Sequence, residues 1–230
     1  RAYDIETDLP PEKLTAGILT DSKGDYLSRH ISNRVENNIV WWTKKGRTSS
    51  EGLNWLVQNF DRIQRRHKHL CIYIWLGTCD LTVKSGKYVS LQENADESYR
   101  KLIGNLKSLS RFAEDKHFKI VFLEVPFISL EKYNGFYGHK TPEIFHNDDL
   151  RLQELFNCTN EEIVKLNKRN STHSPRFNCD LEKNRKNKKG QTKKRYNLNL
   201  YRDGIHPDIK LARHWLRRIS ERVRNDCYYN

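Results

Sequence analysis

"HLCIYIWLGTCDL", residues 69–81, is apolar at almost every position until Gly77. A strand open to water on one side alternates apolar and polar residues, whereas an unbroken apolar run fits a strand covered on both faces. Such strands belong to parallel sheets, so the flanking segments should be helices. Upstream, "TAGILTDS" (15–22) reads as a buried strand running into a helical stretch, "KGDYLSRHISNRV". "NIVWWTKKG" (38–46) is a β-branched and aromatic strand ending at Gly46. "TSSEGLNWLVQNFDRIQRRH" then places Leu53, Leu56, Val57, Phe60 and Ile63 at helical spacing, behind an N-terminal cluster of Thr48, Ser49 and Ser50 with Glu51.

Downstream the alternation continues. Leu102, Ile103, Leu106, Leu109, Phe112 and Ala113 form one stripe of a helix over 95–116, and "FKIVFLEVPFISL" (118–130) is a strand with Pro126 at its exit. Residues 131–147 read as a long loop, 148–170 as a helix, 174–181 as a short extended piece and 183–195 as a basic loop. A last helix, 206–226, turns Leu211, Trp215, Leu216, Ile219 and Val223 inward. The expected fold is α/β, a three-layer sandwich with a central parallel sheet of about five strands. A polar leader, 1–14, precedes a single domain over 15–230. The chain lacks Met and starts at Arg1, which reads as a piece of something longer.

Formal net charge is +13, with 42 basic and 29 acidic residues. Eight of the basic residues, Lys183, Arg185, Lys186, Lys188, Lys189, Lys193, Lys194 and Arg195, share one acid-free run. Such a run is a solvated segment, a nuclear-import signal or a contact for RNA or single-stranded DNA. No apolar stretch approaches the roughly 20 residues of a membrane helix. The five cysteines lack a CxxC pair, which disfavours zinc and a disulfide scaffold and fits free thiols in a reducing, cytoplasmic or nuclear setting. The sequons at Asn157 and Asn170 point weakly the other way.

In parallel sheets, function collects at the carboxyl ends of the strands. Here those ends deliver "TDSKG" (20–24), "KKGRT" (44–48) and "GTCD" (77–80), and the loop before the last helix delivers "DGIHP" (203–207). A serine hydroxyl becomes a competent nucleophile when a histidine takes its proton and a carboxylate fixes the histidine tautomer. Pro207 suits the first position of a helix, making His206 the expected N-cap at the positive end of a dipole that disfavours imidazolium.

In their order and context, these four blocks resemble those of the SGNH (GDSL-type) hydrolases over nearly the whole chain. "DSKG", "WLGTCDL" and "DGIHP" also resemble SGNH-like modules of proteins encoded by animal mobile elements. The resemblance implies an ester hydrolase acting on a small or acylated substrate, without metal or organic cofactor. Ser22 is then the nucleophile, His206 the general base and Asp203 its orienting acid, with the Ser22 amide and Gly46 as oxyanion donors. Two positions depart from the family pattern: Thr20 replaces a glycine, and Cys79 replaces the asparagine that completes the oxyanion hole. A thiol is a weak donor, and losing one such donor costs on the order of 100- to 1,000-fold in turnover.

Other readings stand beside this one. Ser22 alone would serve as a helix N-cap, and Cys79 as a packed thiol or, less favoured, a nucleophile. Asp21, Asp80 and Asp203 could together hold a divalent metal for phosphoryl transfer. His139 and His146 read first as surface residues and second as a lid or substrate wall. A scaffold with faded catalysis would act instead as a nucleic-acid or protein-binding module.

Overall fold

The computed structural model describes residues 10–186 and 192–229. Strand β1 (Thr15–Thr20) leads to the short helices α1 (Ser22–Ser28) and α2 (Arg34–Asn38), then β2 (Val40–Thr43) and α3 (Ser49–Arg66). Next come β3 (Leu70–Trp75), the single-turn α4 (Thr78–Leu81), the hairpin β4 (Thr82–Ser85) and β5 (Tyr88–Leu91), and α5 (Ala95–Lys116). Strand β6 (Lys119–Phe122) is followed by α6 (Leu130–Phe136), α7 (His146–Arg169) and α8 (Phe177–Leu181). A second hairpin, β7 (Glu182–Lys186) and β8 (Thr192–Tyr196), precedes α9 (Ile209–Arg224) and a π-helical turn, Asn225–Tyr229.

The central sheet is wholly parallel, in the order β2-β1-β3-β6. Every residue of β3 is buried, as its unbroken apolar run requires. Its odd-numbered side chains face α9 and the turn after it: Trp75 packs edge-on to Trp215 and the Tyr73 hydroxyl donates to Asp226 at 2.9 Å. Helices α3, α5 and α7 pack together as one group, and α1 and α2 pack on α9 as another. Burying side chains of this size contributes about 1.5–3 kcal/mol each. The expected cap of α3 forms as a reciprocal box between Thr48 and Glu51. Val57, assigned to the apolar stripe of α3, is instead half exposed, while Leu56, Phe60 and Ile63 are buried.

The sheet has four strands where about five were expected, and side chains account for the difference. On the outer edge of β6 and the segment after it, Asn167 pairs with both backbone groups of Phe122 and Asn160 with both of Val125. Ser174 accepts from the Glu124 N–H, and Asn178 accepts from Phe127 and donates to Val125. Amides from α7 and α8 thus satisfy donors and acceptors that a fifth strand would otherwise pair.

Three other expectations change. The loop 131–147 contains α6, capped by Ser129, whose side chain accepts from Lys132 N–H, and by Asp149, which accepts from Leu130 N–H. The piece 174–181 is not extended: it turns into α8, which carries Phe177 against Trp75 and Trp215. The basic run is not a plain loop either, because its arms pair antiparallel from Glu182–Tyr196 to Lys186–Thr192. Lys188 and Lys189 lie outside the described residues, as does most of the polar leader.

All five cysteines are free. Among the described residues no helix is long and apolar enough to cross a membrane.

Candidate active site

The chain crosses from β2 on one side of β1 to β3 on the other, so the strand order reverses between β1 and β3. A crevice opens at the carboxyl ends of strands at such a point. Here it is a cleft of about 580 Å³ whose lining includes Ser22, Gly46, Cys79 and His206.

Ser22 follows directly from β1. Its neighbour Asp21, not Ser22, caps α1 by accepting from the Lys23 N–H at 2.9 Å, so Ser22 is the first helical residue and its own amide has no intrahelical acceptor. Ser22 Oγ lies 3.1 Å from His206 Nε2, and His206 Nδ1 lies 2.8 Å from Asp203 Oδ2. The other carboxylate oxygen, Asp203 Oδ1, accepts from the backbone N–H of Ile205 at 3.0 Å and of His206 at 2.7 Å. Burial works to raise the Asp203 carboxyl, but the His206 ring and these amides outweigh it and hold the group below the usual carboxylate range. Three residues spread over 184 positions of sequence thus form one hydrogen-bonded line.

The loop that carries Asp203 and His206 is fixed from several sides. Tyr201 bridges to Pro207, Arg202 N–H donates to the His206 carbonyl at 2.8 Å, and the Gly204 carbonyl accepts from Ser129 N–H at 2.9 Å. Gly204 has φ +96°, and a Cβ there would sit 2.6 Å from the Ser129 carbonyl oxygen. Only glycine meets both demands. His206 is not the N-cap of the last helix: Asp208 is, accepting from Leu211 N–H at 2.7 Å. Pro207 is spent on the bridge to Tyr201, which moves the helix start two residues on and leaves the imidazole free to turn toward Ser22.

The remaining aspartates of the strand ends have separate partners. Asp21 is paired at 2.5 Å with Lys23, which is 2% exposed and also donates to Thr78 Oγ1 at 3.0 Å. Asp80 accepts from the backbone and hydroxyl of Ser49 at the start of α3. Burial raises the Asp80 carboxyl, against the opposing pull of the Ser49 hydrogen bonds. With Asp203 bound to His206, the three carboxylates do not converge, and no cluster of three or more His, Cys, Asp or Glu suited to a metal occurs among the described residues. The metal reading has no support in this arrangement.

Cys79 lines the cleft, but its Sγ lies 3.7 Å from Asp21 Oδ2 and donates there. Burial, with the Asp21 charge adding to it, pushes the thiol up, so it remains protonated rather than nucleophilic. Gly46 sits in the wall with φ +72°, on a turn held by the buried Arg47, whose guanidinium donates to the Thr20 and Trp42 carbonyls.

Several lining residues were not foreseen. Tyr26 stacks on His206 with ring centroids 4.5 Å apart and planes at 20°; its hydroxyl accepts from Arg202 at 2.9 Å. Its place one helical turn after Ser22 was the available signal. Tyr133 on α6 and Tyr137 just after it reach the cleft, and Thr82, Lys84 and Val89 reach it from the β4–β5 hairpin. His139 and His146 do not line it; His146 lies 3.3 Å from Glu131 on the surface. No described residue of 171–200 lines it either.

Solved structures share this arrangement of strands and helices. A GDSL-like lipase from Bacteroides thetaiotaomicron VPI-5482 superposes with a TM-score of 0.59 at 14% identity, covering 91% of this chain and 87% of the lipase. The chain has the SGNH hydrolase fold. Further structural neighbours are a lipase/acylhydrolase from Enterococcus faecalis (TM-score 0.56, 11% identity, 94% and 98% covered) and the acetyl xylan esterase AlAXEase (0.52, 11%, 90% and 98%). No family model matches the sequence, and no curated protein matches it.

Proposed function

We propose that the protein is a serine ester hydrolase acting on a small acyl or acetyl ester through Ser22, His206 and Asp203. The observation that carries this reading is the continuous hydrogen-bonded line from Ser22 Oγ through the His206 ring to the buried Asp203, with Ser22 and His206 lining the cleft at the strand ends. His206 Nε2 takes the Ser22 proton as Oγ attacks the ester carbonyl. Asp203 fixes the Nδ1–H tautomer and stabilises the imidazolium. The tetrahedral oxygen is met by the Ser22 and Gly46 amides. His206 then gives its proton to the departing alcohol, leaving Ser22 acylated. A water attacks this acyl-enzyme, losing its proton to His206, and the acid departs as Oγ is protonated again. The acylhydrolase and esterase neighbours support the same chemistry.

Labelling with a fluorophosphonate probe tests the assignment. Modification of the folded protein at Ser22, mapped by mass spectrometry and lost in Ser22→Ala, is the expected result. An unlabelled wild type, or equal labelling of Ser22→Ala, would overturn it.

A second role, RNA or single-stranded DNA binding through residues 183–195, is favoured by eight Lys or Arg without an acid in that run. It predicts affinity that falls steeply with salt and is lost when the run is neutralised. Binding indifferent to both changes would remove it.

A further inference from the structure

We propose that the preferred ester carries an anion, carboxylate or phosphate, on its alcohol part, held by Arg29, Lys45 and Lys84. This inference rests on the esterase reading and names the substrate class of the same site. The three cations reach the cleft from separate elements: Arg29 just after α1, Lys45 beside Gly46, and Lys84 on β4. All three are exposed, so they stand at the mouth rather than on the floor.

Their lack of anionic partners is the second observation. Among the described residues none of the three has a carboxylate within ion-pairing distance, whereas the adjacent Lys44 is paired with Glu51 at 2.8 Å. Arg29 lies over the Tyr26 ring, 5.6 Å from its centroid, a contact that leaves its charge uncompensated. The cleft lining contains two carboxylates: Asp21, neutralised by the buried Lys23, and Asp25. Three uncompensated cations therefore face a single free carboxylate. A concave site lined by one sign of charge concentrates ligands of the other.

The position of the charges selects the alcohol part. Thr78, buried, and Cys79, partly buried, line the same cleft as Ser22. The proposed acyl group is small, so the alcohol, which leaves with a proton from His206, is the part long enough to reach the exposed cations.

The test compares 4-acetoxybenzoate with its methyl ester, each enzymatic rate divided by the rate of that ester's own hydroxide-catalysed hydrolysis. The normalised kcat/KM should favour the anionic ester by about tenfold or more at low ionic strength and fall toward parity near 0.5 M salt, where screening is short-ranged. Lys45→Gln combined with Lys84→Gln should bring the ratio toward one without added salt. 4-Acetoxyphenyl phosphate serves as a third substrate: a larger advantage than that of 4-acetoxybenzoate assigns the site to phosphate, and a smaller one to carboxylate. Parity or preference for the methyl ester at low salt, with Ser22 still labelled by fluorophosphonate, would overturn the substrate class alone. A ratio unmoved by salt and by the double variant would do the same. Absence of both labelling and turnover would overturn the esterase reading, and this inference with it.

Discussion

Asp203 bonds the His206 ring and Cys79 lines the same cleft as Ser22, and they differ in what replacement should do. Asp203→Asn keeps the shape but removes the charge that fixes the His206 tautomer, so turnover of a small acetyl ester should fall by about 10⁴-fold. The same variant makes a statement about stability. The folded-state pKa of Asp203 is depressed, so its contribution is present above the unfolded carboxylate value and is lost as pH falls through the depressed one. Wild type should therefore be more stable than Asp203→Asn near pH 7 by about 1–3 kcal/mol. That gap should close once pH drops below 3.8 and through the folded value, as denaturant titrations of the two proteins at several pH values would show. A gap independent of pH would mean that folding leaves the Asp203 pKa unshifted and that its charge contributes nothing to stability. At Cys79 the direction reverses. Its thiol donates to Asp21 and offers the oxyanion little, so Cys79→Asn should raise kcat by up to roughly 100-fold with KM changing less. Unchanged kcat in a folded Cys79→Asn variant would show that another group already fills the role.

The elements around the site show what the sequence could and could not reveal. The "DGIHP" block was legible because its residues act through local geometry: an acid and a histidine three apart, with a glycine between them whose positive φ lets the loop fold back. Gly204→Ala should therefore separate His206 from Ser22, cutting fluorophosphonate labelling by more than tenfold, because the added Cβ meets the Ser129 carbonyl oxygen at 2.6 Å. Labelling at the wild-type rate would mean that the loop position is not set by that contact. Strands β1, β3 and β6 were legible for a related reason, since burial on both faces dictates composition residue by residue, and the half-buried edge strand β2 was legible from its β-branched and aromatic residues. The absence of a fifth strand was not, because side chains such as Asn160 and Asn178 do its pairing, and an asparagine on a helix gives no sign in sequence that it will bond a strand edge. Helix α6 was hidden by Gly135 and by caps drawn partly from Asp149, on another element. The stacking of Tyr26 on His206 joins α1 to a loop 180 residues away and was foreshadowed only by the spacing of Ser22 and Tyr26.

At the scale of the molecule, the two ends of the sheet are built for different purposes. The carboxyl end holds the cleft, whose mouth carries exposed, uncompensated cations and whose walls include a positive-φ glycine turn. The amino end holds a closed ionic knot around Asp226, which is fully buried. Asp226 accepts from Tyr73 Oη at 2.9 Å and from Arg222 Nε at 2.6 Å, and it pairs with Lys119 at 2.7 Å. This knot ties β3, β6 and α9 together at the end remote from Ser22. Removing its single anion would leave the buried Arg222 and the largely buried Lys119 facing each other without compensation, which costs about 3–5 kcal/mol for comparable buried pairs. Asp226→Asn should accordingly lower the denaturation midpoint sharply, while the protein that remains folded keeps the wild-type rate of Ser22 labelling. The two readouts separate because no residue of the knot lines the cleft. If labelling of the folded fraction fell in step with stability, the amino end would be holding the alignment of Ser22 and His206 through β3 and α9, and the division of roles between the two ends would be wrong.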